Sequence, residues 1–162
     1  MNFHMIQRVQ SIYLILSMIS LTILLSGMNL IVFSGQKYMA SLNVFGINKI
    51  ELLKNQTVSD SSYPIYLSII GLVLYVFILL MRYKNLPLQL KMIRRLFFMY
   101  FLIVLAFLLF SVYGSQLIEE KDISTQIGWG FVFFILPFPF IFLAQIAIKR
   151  DKQLLDSLNR LR

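Results

Sequence analysis

Four long stretches of the chain carry no charged side chain, and this feature most constrains what the chain can fold into. They cover residues 11–33, 61–81, 96–115 and 123–148. A helix needs about 20 apolar residues to cross roughly 30 Å of hydrocarbon, and each stretch reaches that length. Hydrophobic residues make up 59% of the chain and charged residues 14%, against about half and a quarter in soluble proteins. The sequence therefore predicts a membrane protein.

We expect an all-α membrane protein, a four-helix transmembrane bundle in one domain covering residues 1–162. The predicted spans are residues 11–33, 61–81, 96–115 and 126–148. The predicted outer loop covers residues 34–60, and the predicted tail covers residues 149–162. The first stretch is longer than the apolar core of a signal peptide, which has about 7–15 residues. It is therefore predicted to be a retained span.

The basic residues predict an orientation, because Lys and Arg collect on the cytoplasmic side of membrane proteins. With four spans, the N-terminal segment, the second connection and the tail share one side and carry eleven Lys and Arg residues. The other side carries four, namely Lys37, Lys49, Lys54 and Lys121. We expect both termini in the cytoplasm. The net charge of +8 has the same explanation, so no nucleic-acid partner is predicted.

The outer loop contains an alternating segment at residues 38–45. One face carries Tyr38, Ala40, Leu42 and Val44, and the other carries Met39, Ser41, Asn43 and Phe45. A period of two predicts a half-buried strand. We expect residues 29–34 and 38–45 to pair as a small β-hairpin on the outer helix ends, with Leu42 and Phe45 as candidate contacts on its opposite faces. An irregular loop is the alternative.

The predicted spans show no catalytic or transport site. None of them has Asp, Glu, Lys, Arg or His near its middle, and such groups usually mark function inside a bilayer. The chain has no cysteine, which excludes thiolate metal sites and a cysteine nucleophile. We therefore predict no enzyme, no cofactor and no metal. Gln145, near the end of the fourth stretch, is a candidate for a hydrogen bond to a neighbouring helix.

Pro137 and Pro139 interrupt the fourth stretch. Each proline removes a backbone donor and disfavours a straight helix, so a kink is expected near the middle of this span. Its neighbours are apolar, including Leu136, Phe138 and Phe140, which favours a packing kink. The alternative is a broken helix that lines a path for a small molecule or a lipid, as in transporters.

The last fifteen residues predict an amphipathic helix that continues the fourth span into the cytoplasm. At about 100° per residue, leucines and charged residues fall on opposite sides. The leucine side carries Leu154, Leu155, Leu158 and Leu161, and the charged side includes Lys152, Asp156 and Arg160. Such a helix either lies on anionic lipid or packs its leucines on a partner protein. A purely orienting role for the charges is the third possibility.

Two end segments carry a resemblance to a known family. The segments "MIQRVQS" from Met5 and "AIKRDKQLLDSLNRLR" at the terminus resemble motifs of small four-span inner-membrane proteins from Bacteroidota, a domain of unknown function. Arg8 matches the first motif; Arg150, Asp151, Arg160 and Leu161 match the second. The resemblance implies four spans in a bacterial inner membrane and assigns no catalytic residue. Arg8 and Asp151 are also expected to meet across the bundle.

These features together favour a non-catalytic accessory or structural subunit of a larger bacterial inner-membrane complex, which acts through helix–helix and loop contacts. Its predicted partners are the lipid bilayer and other inner-membrane proteins. The alternative is a small-molecule or lipid carrier that uses the proline-broken fourth span. The candidate contact residues are Arg8, Leu42, Phe45, Gln145, Arg150, Asp151, Leu154, Leu155, Leu158, Arg160 and Leu161.

Overall fold

The computed structural model describes residues 6–53, 56–113 and 123–160 of the chain. Its helical segments are α1 (Ile6–Leu24), α2 (Ile65–Met81), α3 (Leu86–Tyr113), α4 (Trp129–Ile135) and α5 (Pro137–Arg160). Its strands are β1 (Ile31–Ser34), β2 (Tyr38–Leu42), β3 (Gly46–Glu51), β4 (Gln56–Ser62) and β5 (Ser124–Ile127). The strands form one antiparallel sheet in the order β4-β3-β2-β1-β5.

The prediction of a four-helix transmembrane bundle is wrong. The fold combines helices with a five-stranded sheet. By length and composition, two helices in the described part could cross a membrane, Leu86–Val112 and Trp129–Ser157. The apolar helices α1 and α2 are shorter, with 19 and 17 residues. At 1.5 Å per residue they measure about 29 Å and about 26 Å, a little less than the roughly 30 Å of a hydrocarbon core.

The length of an uncharged stretch overestimates the length of the helix inside it, because strands and turns can be uncharged too. Residues 25–33 belong to the first uncharged stretch, yet α1 ends at Leu24 and β1 begins at Ile31. The second stretch includes the end of β4, and the fourth includes all of β5. Charge alone therefore does not distinguish a strand from the end of an apolar helix.

The sheet begins where the alternation predicts pairing. β1 pairs with β2, with Ile31 opposite Leu42 and Phe33 opposite Ala40. Ala40 and Leu42 are buried whereas Phe45 is exposed, so the predicted period of two is confirmed. The prediction of a small hairpin is wrong because β3, β4 and β5 extend it to five strands. A two-stranded hairpin would be marginal in water, and the added strands and the helices beneath remove that weakness.

Two glycines attach the sheet to the helices through backbone contacts. Gly128 and Gly130 donate their N–H groups to the carbonyl oxygens of Leu30 and Asn29, each at 3.0 Å. A Cβ atom on Gly128 would lie 2.0 Å from the Asn29 oxygen, and one on Gly130 would lie 2.8 Å from it. Because no side chain fits, only glycine lets the β5–α4 junction approach the chain before β1 this closely.

Beneath the sheet, α5 packs against both α1 and α3, and α2 packs mainly on α1. The buried side chains repeat every three or four residues, as expected for helix faces turned toward a core. On α5 they are Pro137, Ile141, Ala144, Ile148 and Asp151. The Ser20 hydroxyl donates to the Phe133 carbonyl at 2.8 Å, and the Tyr100 hydroxyl donates to the Phe134 carbonyl. These two bonds place Ser20 of α1 and Tyr100 of α3 beside α4, at the same height along the helix bundle.

The predicted interruption near the prolines lies at Leu136, between α4 and α5. Pro137 has no N–H to donate to the preceding turn. The backbone of Leu136 nevertheless keeps a right-handed helical conformation, with φ −55° and ψ −36°. The two segments therefore follow each other directly, and Pro137 serves as the first residue of α5, a position that proline tolerates.

The glycine contact gives a test of the fold. Gly128→Ala should lower the free energy of unfolding by about 1–3 kcal/mol, the usual cost of overpacking, because the new methyl group meets a backbone oxygen. Gly71→Ala is the matched control, since a Cβ at Gly71 meets nothing within 4 Å. Alanine also favours a helix over glycine. Thermal unfolding of the purified protein measures both; equal losses at the two positions would contradict the packing argument.

Candidate functional site

The connections between elements place the sheet at one end of the helices. α1 ends before β1, α2 begins after β4, and α4 begins after β5. The start of α1, the α2–α3 connection and the end of α5 therefore lie at the other end, which we call the sheet-distal end. Sequence and topology together bring the polar side chains of three helices to this end.

Four side chains with buried, unpaired polar atoms lie toward the sheet-distal end, and we call them the sheet-distal cluster: Gln10, Gln89, Gln145 and Asp151. Gln10 is 0% exposed, and neither its Oε1 nor its Nε2 has a hydrogen-bond partner. Gln89 donates from Nε2 to the Leu79 carbonyl at 3.2 Å but leaves its Oε1 unpaired. Gln145 Oε1 and Asp151 Oδ2 are likewise buried without a partner.

Helix geometry places the three glutamines at a similar depth. The bonds of Ser20 and Tyr100 to the Phe133 and Phe134 carbonyls define one level of the bundle. At 1.5 Å per residue, Gln10 on α1, Gln89 on α3 and Gln145 on α5 lie about 15–18 Å below that level. Asp151 lies about 9 Å further toward the sheet-distal end. The three glutamines thus share one level of the bundle, and the carboxylate of Asp151 lies nearer to the sheet-distal end.

The chemistry of the cluster is hydrogen bonding. Each buried polar group without a partner costs about 1–3 kcal/mol, so a ligand, water or partner group that satisfies these atoms would be bound favourably. Asp151 is the single ionisable member, so the cluster contains no acid–base pair. Among the described residues, no group of three or more His, Cys, Asp or Glu side chains could hold a metal ion.

Several predicted contact residues lie at or beyond this end. Gln145 and Asp151 belong to the cluster, and Arg150 beside them is exposed. Leu154 and Leu155 follow on α5 and are 49% and 38% exposed. Other members of the predicted set have side chains outside the described part, namely Arg8, Leu158, Arg160 and Leu161. The predicted meeting of Arg8 with Asp151 therefore falls outside the described residues.

Leu42 and Phe45 lie at the opposite end, within and beside the sheet. Leu42 is 4% exposed and belongs to the core, so it does not present a surface to a partner. Phe45 is exposed, and its ring centroid lies 5.9 Å from that of Tyr66. Of these two candidates, only Phe45 has an exposed side chain that could meet a partner protein.

Charge does not identify Gln10 and Gln89 as candidate site residues, because both are neutral and lie close to the helix starts. The spacing of buried residues along each helix does identify them. Gln10 lies four residues before Leu14, and Gln89 lies four residues before Ile93. The side chains of Leu14 and Ile93 are both fully buried. A polar residue that extends a buried apolar stripe is the pattern that identifies each glutamine.

A cavity of about 520 Å³ lies between the sheet and the helices α2, α3 and α4. Its lining is almost entirely apolar, with contributions from Leu42 on β2, Ile47 on β3 and Phe134 on α4. Neither Pro137 nor Pro139 belongs to the lining. This cavity therefore has no connection with the proline interruption that the sequence suggests as a path.

A family model for a domain of unknown function (DUF4293) matches residues 6–161. The match confirms the expected resemblance to a family of unknown function and covers nearly the whole chain. No curated protein matches the chain.

Because the Gln10 amide is unpaired and the Gln89 amide is not, we expect replacement of each glutamine by leucine to change the free energy of unfolding differently. Gln10→Leu removes two unpaired polar atoms and should raise the free energy of unfolding, by about 1–3 kcal/mol. Gln89→Leu removes the bond to the Leu79 carbonyl and should lower or barely change it. Thermal unfolding of both variants in one detergent provides the comparison. Destabilisation by Gln10→Leu would show that this amide has a partner in the working protein.

Proposed function

We propose a contact function for this protein, which belongs to the DUF4293 family, a domain of unknown function. It acts as a non-catalytic accessory or structural subunit of a larger bacterial inner-membrane complex. The observation that carries the proposal is the end of α5, which continues beyond the packed core and exposes leucines there. The single ionisable group of the sheet-distal cluster fits a binding role better than a catalytic one.

The exposed end of α5 is the proposed docking element. The helix runs to Arg160, and Asp151 is the last buried residue in its described part. Leu154 and Leu155 follow, both exposed, on a helix whose other side carries charge. Complete burial of one leucine contributes about 1.5–3 kcal/mol. A partner groove that covers both leucines therefore gains enough to form a specific contact.

We also propose that the protein is a multi-pass protein of the inner membrane, with the sheet on the extracytoplasmic side. The two candidate spans, Leu86–Val112 and Trp129–Ser157, flank β5, and this order supports a sheet on one side of the bilayer and the sheet-distal end on the other. Basic residues favour the cytoplasmic side. The sheet-distal end has the larger share of them, including Arg82, Lys84, Arg150 and Lys152. Both termini are then cytoplasmic.

A carrier function that uses the proline interruption is the second candidate, and it has less support. The cavity of about 520 Å³ is lined by neither proline. The unpaired polar atoms lie on the sheet-distal side of Pro137 and Pro139, at Gln145 and beyond. A carrier would need a polar path that joins the prolines to one of these two regions.

The proposed orientation can be measured with single cysteines, since the native chain has none. Ser124→Cys on β5 and Lys49→Cys on β3 should react with an impermeant maleimide added to intact cells. Lys84→Cys and Arg150→Cys should react only after the inner membrane is made permeable. Labelling of the second pair in intact cells would reverse the orientation, and labelling of all four would contradict a membrane-spanning arrangement.

The docking element can be tested by recovery of partners. Leu154→Ser combined with Leu155→Ser should reduce co-purification of stoichiometric partners by roughly two orders of magnitude in affinity or more, if both leucines are covered. Membrane insertion should persist because both leucines follow the uncharged stretch of residues 123–148, which is unchanged. The measurement is an affinity purification in mild detergent, quantified by mass spectrometry.

Asp156→Ser is the control for this experiment, because Asp156 is an exposed residue of the same helix. Lys152→Gln distinguishes docking on a partner protein from binding to anionic lipid. A helix held by anionic lipid should lose about 1 kcal/mol of binding free energy for each basic residue removed, and its binding should be sensitive to salt. Migration of the native protein as a lone 19.0 kDa chain, without a partner, would contradict the subunit proposal.

A further inference from the structure

Two adjacent cavities lie along α2 and α3. Their volumes are about 520 Å³ and about 310 Å³, and both linings include Ser68, Leu72 and Ile103. We call the two cavities together the α2–α3 slot. The Tyr75 hydroxyl donates to the Met92 carbonyl at 3.3 Å and bridges the two helices. This bridge closes the sheet-distal end of the slot, and the sheet closes the other.

The walls of the slot are apolar. Most of the side chains are aliphatic or aromatic, and none is charged. Gly71 faces open space, since a Cβ added there meets nothing within 4 Å. From Ile65 to Tyr75 the slot extends about 15 Å along α2, at 1.5 Å per residue. Its size falls within the range of ligand pockets, about 300–1,000 Å³.

We propose that the α2–α3 slot binds one acyl chain of a membrane lipid. The slot opens sideways between α2 and α3, and the outer faces of both helices are apolar and exposed beside it, as at Leu67, Leu74 and Phe98. α3 contains the candidate span Leu86–Val112. In a bilayer, acyl chains surround such a helix, and they are continuous with the open side of the slot.

Packing rather than transfer from water drives this binding. Acyl chains are as apolar as the walls, so association inside a membrane depends on van der Waals contact. An unfilled slot would leave its lining atoms without neighbours, and each missing contact forfeits attraction. A flexible hydrocarbon chain can follow the slot and restore these contacts, whereas the absence of a charged side chain in the lining disfavours an ionic ligand.

The shape of the slot suits a thin occupant better than a whole helix from a partner protein. A helix with its side chains is about 10–12 Å across. An extended hydrocarbon chain is much thinner and can enter over the full length. The inference concerns a lipid site and is independent of the contact function proposed for the end of α5.

The test uses the full chain in vesicles that contain phosphatidylethanolamine with a photoactivatable diazirine on one acyl chain. After illumination, mass spectrometry maps the labelled residues. We expect labels on the slot lining, such as Leu72, Tyr75 and Ile103, above those on the outward Leu67 and Leu74. Gly71→Leu should decrease slot labelling about tenfold, which corresponds to about 1.4 kcal/mol, because the new side chain occupies the slot.

Gly71→Leu should fold, since leucine favours a helix over glycine and the added atoms enter open space. The matched control is Leu74→Phe, which enlarges an exposed side chain outside both linings and should leave slot labelling unchanged. If labelling is uniform around α2 and unaffected by Gly71→Leu, the slot has no specific lipid site, and the lipids that contact it are those that surround any membrane helix.

A different occupant would give a different result. If a photoreactive amino acid at position 71 cross-links to another polypeptide in native membranes, while the diazirine lipid does not label the slot, the space holds a partner segment and the lipid proposal is wrong. A lipid that remains bound through purification in mild detergent, is detected by native mass spectrometry, and is lost in Gly71→Leu would support the proposal.

Discussion

The close backbone contact between Asn29 and the two glycines of the β5–α4 junction determines how the rest of the structure is assembled. It joins the segment after α1 to the segment before α4, about a hundred residues apart in the chain. Once that junction is set, β5 lies beside β1 as a fifth strand. α4 then starts beside the end of α1, and the hydroxyls of Ser20 and Tyr100 bind consecutive carbonyls of α4. The path of α5 through the bundle follows from this anchoring.

The molecule has two chemically different ends as a result. Near the sheet, aromatic and aliphatic side chains line the α2–α3 slot. Toward the sheet-distal end, Gln10, Gln89, Gln145 and Asp151 bury polar atoms without partners. An apolar void loses dispersion contacts when it is empty, whereas an unpaired polar atom loses hydrogen bonds. The first end thus favours hydrocarbon and the second favours polar groups, which is a consistent arrangement for a protein that contacts both lipid and other proteins.

Binding is the role that we propose for both ends. Asp151 is the only ionisable member of the sheet-distal cluster, and an acid–base mechanism needs a second group within reach. The exposed Leu154 and Leu155 lie one turn beyond Asp151 on α5, so the proposed docking element continues directly from the sheet-distal cluster. A partner that covers the leucines would therefore lie close to this carboxylate.

The sequence by itself determined the apolar character of the chain, the alternating faces of residues 38–45, the helical end of α5 and the interruption before Pro137, because each depends on neighbours within a few residues. It also identified Gln145 and Asp151 as polar groups near the end of α5. Only the tertiary structure decided that residues 124–127 form a strand beside residues 31–34, that Leu42 is in the core, and that Gln10 and Gln89 join the cluster. These outcomes depend on pairing between distant segments, above all on the space that Gly128 and Gly130 leave for the Asn29 carbonyl. Residue periodicity carries no information about such a contact, since glycine in a sequence is equally compatible with a turn, a flexible loop or a close approach of two backbones.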